Sequence, residues 1–164
     1  MLKKIRYIEF DTEDRAIEFV KKNPSGIELI KDPSIEIQLA AIEVDALCIE
    51  FIRNPSVNAQ LSAVMRNPST IRFIKNPNIS AQFIAVYADG YLIRFIDNPD
   101  ESVKNLAVRR TPDAIRYIKN PSKELMSIAI GNNNSLYQIP GSTNDLVFET
   151  ITTCCYYIEG DSYE

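Results

Sequence analysis

The chain has 164 residues, of which 45% are apolar and 24% are charged, and its formal net charge is −4. This size and composition predict a single domain over residues 1–164 with a hydrophobic core. Because there is no histidine, the chain lacks the usual general base of serine and cysteine hydrolases and the commonest transition-metal ligand. The sequence therefore predicts a protein that is not an enzyme, with no catalytic residue, cofactor or metal site.

The sequence also bears on location. No segment approaches the roughly 20 consecutive apolar residues that cross a bilayer, and residues 1–6 lack the apolar segment of a signal peptide. Cys48 and the adjacent Cys154 and Cys155 form neither a disulfide framework nor a metal-ligand spacing. We expect a cytoplasmic protein with no membrane partner, in which the paired thiols are incidental.

The strongest pattern in the sequence is a repeat that returns every 22 residues. A period this short predicts one small unit stacked on copies of itself, and such arrays commonly bind other macromolecules. We expect repeats over residues 5–136 and a C-terminal cap and tail over residues 137–164. The marker of each repeat is an apolar quartet that begins and ends with Ile, at residues 5–8, 27–30, 49–52, 71–74, 93–96 and 115–118.

A first, short helix is predicted around each quartet. Side chains that favour a helix N-cap precede the quartets, and they predict a helix of about two turns that is partly 3₁₀. These residues are Asn23, Asp45, Asn67, Asp89, Thr111 and Asn133. The third quartet residue is aromatic or Leu, and we expect it to fill the space between repeats, where loss of a buried ring costs about 3–5 kcal/mol. This column is Tyr7, Leu29, Phe51, Phe73, Phe95 and Tyr117.

A second helix is predicted after each Asn-Pro or Asp-Pro pair, as at Asn54-Pro55. As an N-cap and a first helical position, the pair predicts a helix of about 11 residues. Leucine-rich β-solenoids have similar periods, but the alternation that a strand needs is missing from this half of the repeat. The predicted fold is all-α, an α-solenoid of about six 22-residue two-helix repeats with a C-terminal helical cap. Small residues for close helix packing recur at Ala41, Ala63, Ala85, Ala107 and Ala129.

Units such as residues 71–77, Ile-Arg-Phe-Ile-Lys-Asn-Pro, followed by Ala81-Gln-Phe-Ile-Ala-Val86, resemble short α-helical repeat proteins. The chain is similar both to the variant leucine-rich repeat and to uncharacterised 22-residue repeat proteins of bacteria and phages. The resemblance covers roughly residues 5–136 and brings no catalytic residue. It implies a phage or bacterial factor that engages a host or defence protein. The chain departs from the pattern at residues 10–12 and after Leu136, where end caps are expected.

Charge is distributed unevenly along the chain. Residues 1–52 hold 7 basic and 11 acidic side chains, residues 53–123 hold 11 and 5, and residues 124–164 hold 0 and 6. We predict a partner-binding basic stripe in the middle part, for an acidic protein surface or alternatively for nucleic acid. A third interpretation is that these cations are only the solvated face of the repeats. The candidate residues are Arg53, Arg66, Arg72, Lys75, Arg94, Lys104, Arg109, Arg110, Arg116 and Lys119.

Other sequence features leave alternatives open. The overall acidity and the small number of aromatic residues expected at the surface favour a protein partner over nucleic acid. The column Gln38, Gln60, Gln82, Lys104 and Met126 serves either recognition or polar stacking between repeats. Acidic pairs at residues 13–14 and 100–101 fit the first turn of a helix better than acid–base chemistry. Tyr156 and Tyr157 either cover the last repeat or mediate dimerisation, so a monomer and a dimer through the cap both remain possible.

Overall fold

A computed structural model describes residues 7–132 of the chain. It has two compact units, Met1–Ala85 and Val86–Glu164. Of the described residues, 71% are helical and none lies in a strand. The predicted all-α fold is therefore confirmed. The predicted short helix at Asn133, the cap and tail over residues 137–164, and Cys154 and Cys155 lie outside the described residues.

Each repeat contains one α-helix and one 3₁₀ helix. The α-helices are α1 Glu13–Lys22, α2 Ile35–Val44, α3 Val57–Arg66, α4 Ile79–Ala88, α5 Glu101–Arg110 and α6 Lys123–Asn132. The 3₁₀ helices are η1 Pro24–Leu29, η2 Ala46–Phe51, η3 Pro68–Phe73, η4 Gly90–Phe95 and η5 Pro112–Tyr117. Both series begin at intervals of 22 residues, as the repeat predicts.

Inside each unit the α-helices of neighbouring repeats pack against each other, and so do the 3₁₀ helices. In the first unit α1 contacts α2, α2 contacts α3, η1 contacts η2, and η2 contacts η3. In the second unit α5 contacts α6, and η4 contacts η5. This stacking of equivalent helices in sequence order is the solenoid arrangement, in which each repeat buries an apolar face against its neighbour.

The prediction that the Asn-Pro pair starts the α-helix is wrong by two residues. Helix α3 begins at Val57, and its N-cap is Ser56, whose Oγ accepts a hydrogen bond from the backbone N–H of Ala59 at 3.2 Å. The pair itself forms a turn, because Asn and Asp tolerate the left-handed region and a following proline disfavours the helical region. In four repeats the residue before proline has φ between 50° and 55°: Asp32, Asn76, Asn98 and Asn120.

The departure at residues 10–12 preserves the capping pattern. Thr12 lies 22 residues before Ser34, and both are N-caps of the α-helix that follows. The Oγ1 of Thr12 accepts a hydrogen bond from the backbone N–H of Arg15 at 3.4 Å. Phe10 packs on Phe19 with ring centroids 5.3 Å apart. The first repeat therefore replaces the Asn-Pro turn but keeps the hydroxyl cap.

The core consists of columns of small and branched side chains. Ala41 and Ala63 have no exposed surface, as predicted for close helix packing. In η1 to η4 the first quartet residue is buried, with Ile49 and Ile71 both 0% exposed, whereas Ile115 in η5 is half-buried. The fourth quartet residue is buried from the third quartet onward, at Ile52, Ile74, Ile96 and Ile118. In η2, η3 and η4 two buried isoleucines, one in the helix and one at its C-cap, thus fix the inner side.

Candidate interaction surface

The 3₁₀ helices determine which quartet residues reach the surface. In a 3₁₀ helix, side chains three positions apart lie one above the other. At the end of η3 this places Ile71 with the C-cap residue Ile74, both buried, and leaves Arg72 and Phe73 on the outer side. The second and third quartet residues therefore build the outer face of the 3₁₀ helices.

The prediction that the third quartet residue is buried between repeats is wrong. Phe51, Phe95 and Tyr117 are 37%, 36% and 40% exposed, and Phe73 is half-buried. The space between repeats is already filled by the two isoleucines of the quartet, so the rings lie against the surface. This also removes one argument against nucleic acid, since aromatic side chains do line the outer face.

Arginine side chains stack on several of these rings. The guanidinium carbon of Arg72 lies 4.6 Å from the ring centroid of Phe73. That of Arg94 lies 4.8 Å from Phe95 and 5.7 Å from Tyr117. Each such contact contributes about 0.5–1 kcal/mol at an exposed site. The contacts hold the guanidinium groups of Arg72 and Arg94 against the rings, and both arginines remain exposed.

In the first unit the outer face changes from mixed to wholly basic charge along the chain. Glu28 and Glu50 occupy the second quartet position in η1 and η2, and both are exposed. From Phe51 to Ala85 there is no Asp or Glu. The four cations in this segment are all exposed predicted site residues: Arg53, Arg66, Arg72 and Lys75.

A cavity of about 310 Å³ opens on the first unit. Tyr7 and Phe51 contribute aromatic walls, and Lys31 and Arg53 lie beside them. The guanidinium carbon of Arg53 is 5.7 Å from the Tyr7 ring centroid. This predicted site residue therefore turns toward the first repeat. The cavity also includes Glu28 and Asp32, so its charge is mixed.

The second unit holds the other six predicted site residues in different environments. Arg94 and Arg116 are exposed at the second quartet position, and Lys119 is exposed in the turn after η5. Lys104 pairs with Glu101, Nζ to Oε2, at 3.1 Å. Arg110 lies 4.5 Å from the Tyr87 ring and donates from Nε to the Tyr87 carbonyl at 3.0 Å. Arg109 is exposed beside it at the end of α5.

The ten candidates therefore occupy different local environments. Arg72, Arg94 and Arg116 share the second quartet position, while Arg66, Arg109 and Arg110 lie in the last turns of α-helices. Lys104 is engaged by its own helix, so its charge is partly neutralised. The sequence missed the exposed rings beside the arginines. The isoleucines three residues apart indicate that the two residues between them lie outside, but only once a 3₁₀ helix and its C-cap are assigned to the quartet.

Gln38 and Gln60 of the glutamine column have a structural role. Gln38 is 6% exposed; its Nε2 donates to the carbonyl of Pro33 at 2.9 Å, and its Oε1 accepts from the backbone N–H of Ser56 at 2.9 Å. Gln60 makes the equivalent bonds to Pro55 and Asn78. These side chains link one repeat to the next, which favours polar stacking over recognition for Gln38 and Gln60.

The acidic pairs serve helix starts, as the sequence indicates. Glu13 and Asp14 lie in the first turn of α1. Asp100 is the N-cap of α5, and its Oδ1 accepts from the backbone N–H of Ser102 at 2.9 Å. Hydrogen bonds from Ser102 hold the pKa of the Asp100 carboxyl below its ordinary value, with a smaller effect from Lys104. The carboxylate is stabilised as a charged cap.

Residues 7–132 contain no cluster of three or more Cys, Asp or Glu side chains that could hold a metal ion. No described helix has both the length and the apolar character needed to cross a membrane. Comparison with protein-family models, curated proteins and solved structures finds no match.

Proposed function

We propose that the chain is a non-catalytic repeat protein that binds an acidic surface of another protein through the outer face of its 3₁₀ helices. The observation that carries this proposal is the stacking of Arg72 on Phe73 and of Arg94 on Phe95. Aromatic residues and arginine are enriched at protein interfaces and supply much of the binding energy there. Stacked guanidinium groups are partly ordered before binding, which lowers the entropy cost of pairing with carboxylates.

The acid-free segment from Phe51 to Ala85 gives this proposal its charge preference. Its four exposed cations favour a carboxylate-bearing partner. A phage or bacterial origin and a host or defence protein as partner are part of the same proposal and follow from the resemblance of the repeats. A cytoplasmic location is also part of the proposal and is supported by the sequence features described above.

Single-stranded nucleic acid is the second candidate, and the exposed rings favour it. Proteins that bind single strands combine basic side chains with aromatic rings on which bases stack. The net charge of −4 weighs against binding of a long phosphate backbone. We therefore rank the acidic protein first.

The test uses a variant with Arg72, Arg94 and Arg116 changed to Glu. The control reverses three exposed cations of α1, Arg15, Lys21 and Lys22, and so changes the net charge by the same amount. Affinity capture with mass spectrometry, with and without nuclease, compares both variants with the wild type. We expect one stoichiometric protein, retained after nuclease treatment and by the control, and lost from the triple variant.

Defined probes separate the two candidates. A labelled Glu-rich peptide and a labelled oligothymidine of about 20 units are titrated against the same three proteins at rising salt. We expect the wild type and the control to bind the peptide and the triple variant not to bind it. Tight oligothymidine binding that falls steeply with salt, together with no captured protein, would overturn it in favour of nucleic acid.

A further inference from the structure

The second quartet position of the first unit forms a short column of charges that changes sign. Glu28, Glu50 and Arg72 occupy this position in η1, η2 and η3, and all three are exposed. A uniformly acidic surface laid along the column would meet repulsion at both glutamates. A uniformly basic surface would meet it at Arg72. The column as a whole is therefore matched to a surface whose charge also changes sign.

A second copy of the same column provides such a surface. When two identical columns meet about a two-fold axis that crosses them between η2 and η3, they run antiparallel. Glu50 of one copy then faces Arg72 of the other, and the same pair forms a second time by symmetry. An axis parallel to the column would instead set Glu50 against Glu50. Charge complementarity thus selects the antiparallel arrangement.

The side chains beside this column suit the centre of such an interface. Phe51, 37% exposed, and the half-buried Phe73 lie next to Glu50 and Arg72 in sequence, and they would meet as Phe51 against Phe73 about the same axis. Aromatic residues and arginine are the types enriched at interface centres. Arg53 turns toward the Tyr7 ring, so its charge is drawn toward the first repeat.

We propose that the first unit pairs with a second copy of this chain through the η2 and η3 outer face, with Glu50 and Arg72 exchanged across a two-fold axis. The interface is small, and we expect a dissociation constant on the order of 10 μM. The proposal is independent of the function proposed above. It has a consequence for that function, because an acidic partner would compete with the second copy for Arg72.

A charge-swap experiment on the full chain tests the pairing. Sedimentation velocity over a concentration series is run on the wild type, Glu50→Arg, Arg72→Glu and the double variant. Each single variant places like charges opposite each other twice, so we expect its dissociation constant to rise about tenfold or more. The double variant restores both pairs and should return to within about threefold of the wild type.

Mixing the two single variants gives a sharper test. In a mixed dimer the arginine introduced at position 50 faces the glutamate introduced at position 72, and the native Arg72 faces the native Glu50. Both pairs are attractive, so the mixture should dimerise although each variant alone does not. Matched controls, Glu43→Arg in α2 and Arg66→Glu in α3, change exposed charges away from the column and should leave dimerisation unchanged. Circular dichroism checks that every variant is folded.

The outcomes are distinct. A wild type that stays monomeric up to about 500 μM, single variants that behave like their controls, or a mixture that fails to dimerise would each overturn the proposal. The Glu50→Arg variant keeps all ten candidate binding cations. If Glu50→Arg no longer dimerises but still captures an acidic protein, both proposals are supported. If the wild type does not dimerise but captures a protein that the triple variant fails to capture, only the function proposed above is supported.

Discussion

Inner and outer residues of the same 3₁₀ helix behave differently along the chain. At the inner position, Ile49, Ile71 and Ile93 are all isoleucine and at most 1% exposed. One residue later, on the outer side, stand Glu50, Arg72 and Arg94. The inner side has a fixed volume to fill, so its residue is constant. The outer side meets water, so its charge can change from repeat to repeat, and specificity can lie there without altering the fold.

Truncation of an inner residue should give the largest loss of stability. Ile71→Ala leaves a cavity at a position with no exposed surface and should lower the free energy of unfolding by about 2–5 kcal/mol. Phe73→Ala, two residues away on the half-buried outer side, should cost less although its side chain is larger. Urea denaturation of both variants measures the difference. Equal losses would show that the outer rings belong to the core after all.

The glutamine links test whether repeats are held together by polar bonds as well as by packing. Gln38→Ala leaves the Pro33 carbonyl and the Ser56 N–H without their partner, and each unsatisfied buried group costs about 1–3 kcal/mol. We expect a total loss of roughly 2–4 kcal/mol in urea denaturation. Asn58→Ala, at an exposed position of α3, is the control and should be nearly neutral. A Gln38→Ala loss no larger than the control would return this column to a recognition role.

The N-cap serine gives a smaller effect. Ser56→Ala removes the oxygen that accepts the Ala59 N–H and should cost about 1 kcal/mol. Ser62→Ala lies within the same helix and replaces serine by the residue with the highest helix propensity, so it should be neutral or stabilising. Thermal unfolding compares the two. If both variants unfold alike, then Ser56 is not an effective cap.

The sequence predicted the repeat, the helices and the packing alanines because these depend on local periodicity. It placed the α-helix start at the Asn-Pro pair because such residues are also good caps. In the structure Asn76 instead adopts the left-handed region, and the capping side chain is that of Asn78, directly after Pro77. The position of Phe73 could not be read from hydrophobicity alone. Burial there depends on whether Ile71 and Ile74 already fill the interior, which is a property of the stacked repeats.

The buried thiol of Cys48 leads to a prediction about stability at alkaline pH. Burial, with a smaller contribution from Asp45, raises the pKa of the Cys48 thiol from 9.0 to about 12. Between these values the unfolded chain loses the proton and the folded chain keeps it, so stability falls as pH rises from about 9 toward 12. Thr70 and Ala114 occupy the same position in later repeats and are fully buried, so the position of Cys48 also holds small residues without a thiol. Cys48→Ala therefore removes the ionisable group and keeps a residue type that the repeat already uses. The decrease in the free energy of unfolding at alkaline pH, measured by urea denaturation, should therefore be smaller in Cys48→Ala than in the wild type. Identical pH profiles would show that Cys48 ionises as readily in the folded chain as in the unfolded one.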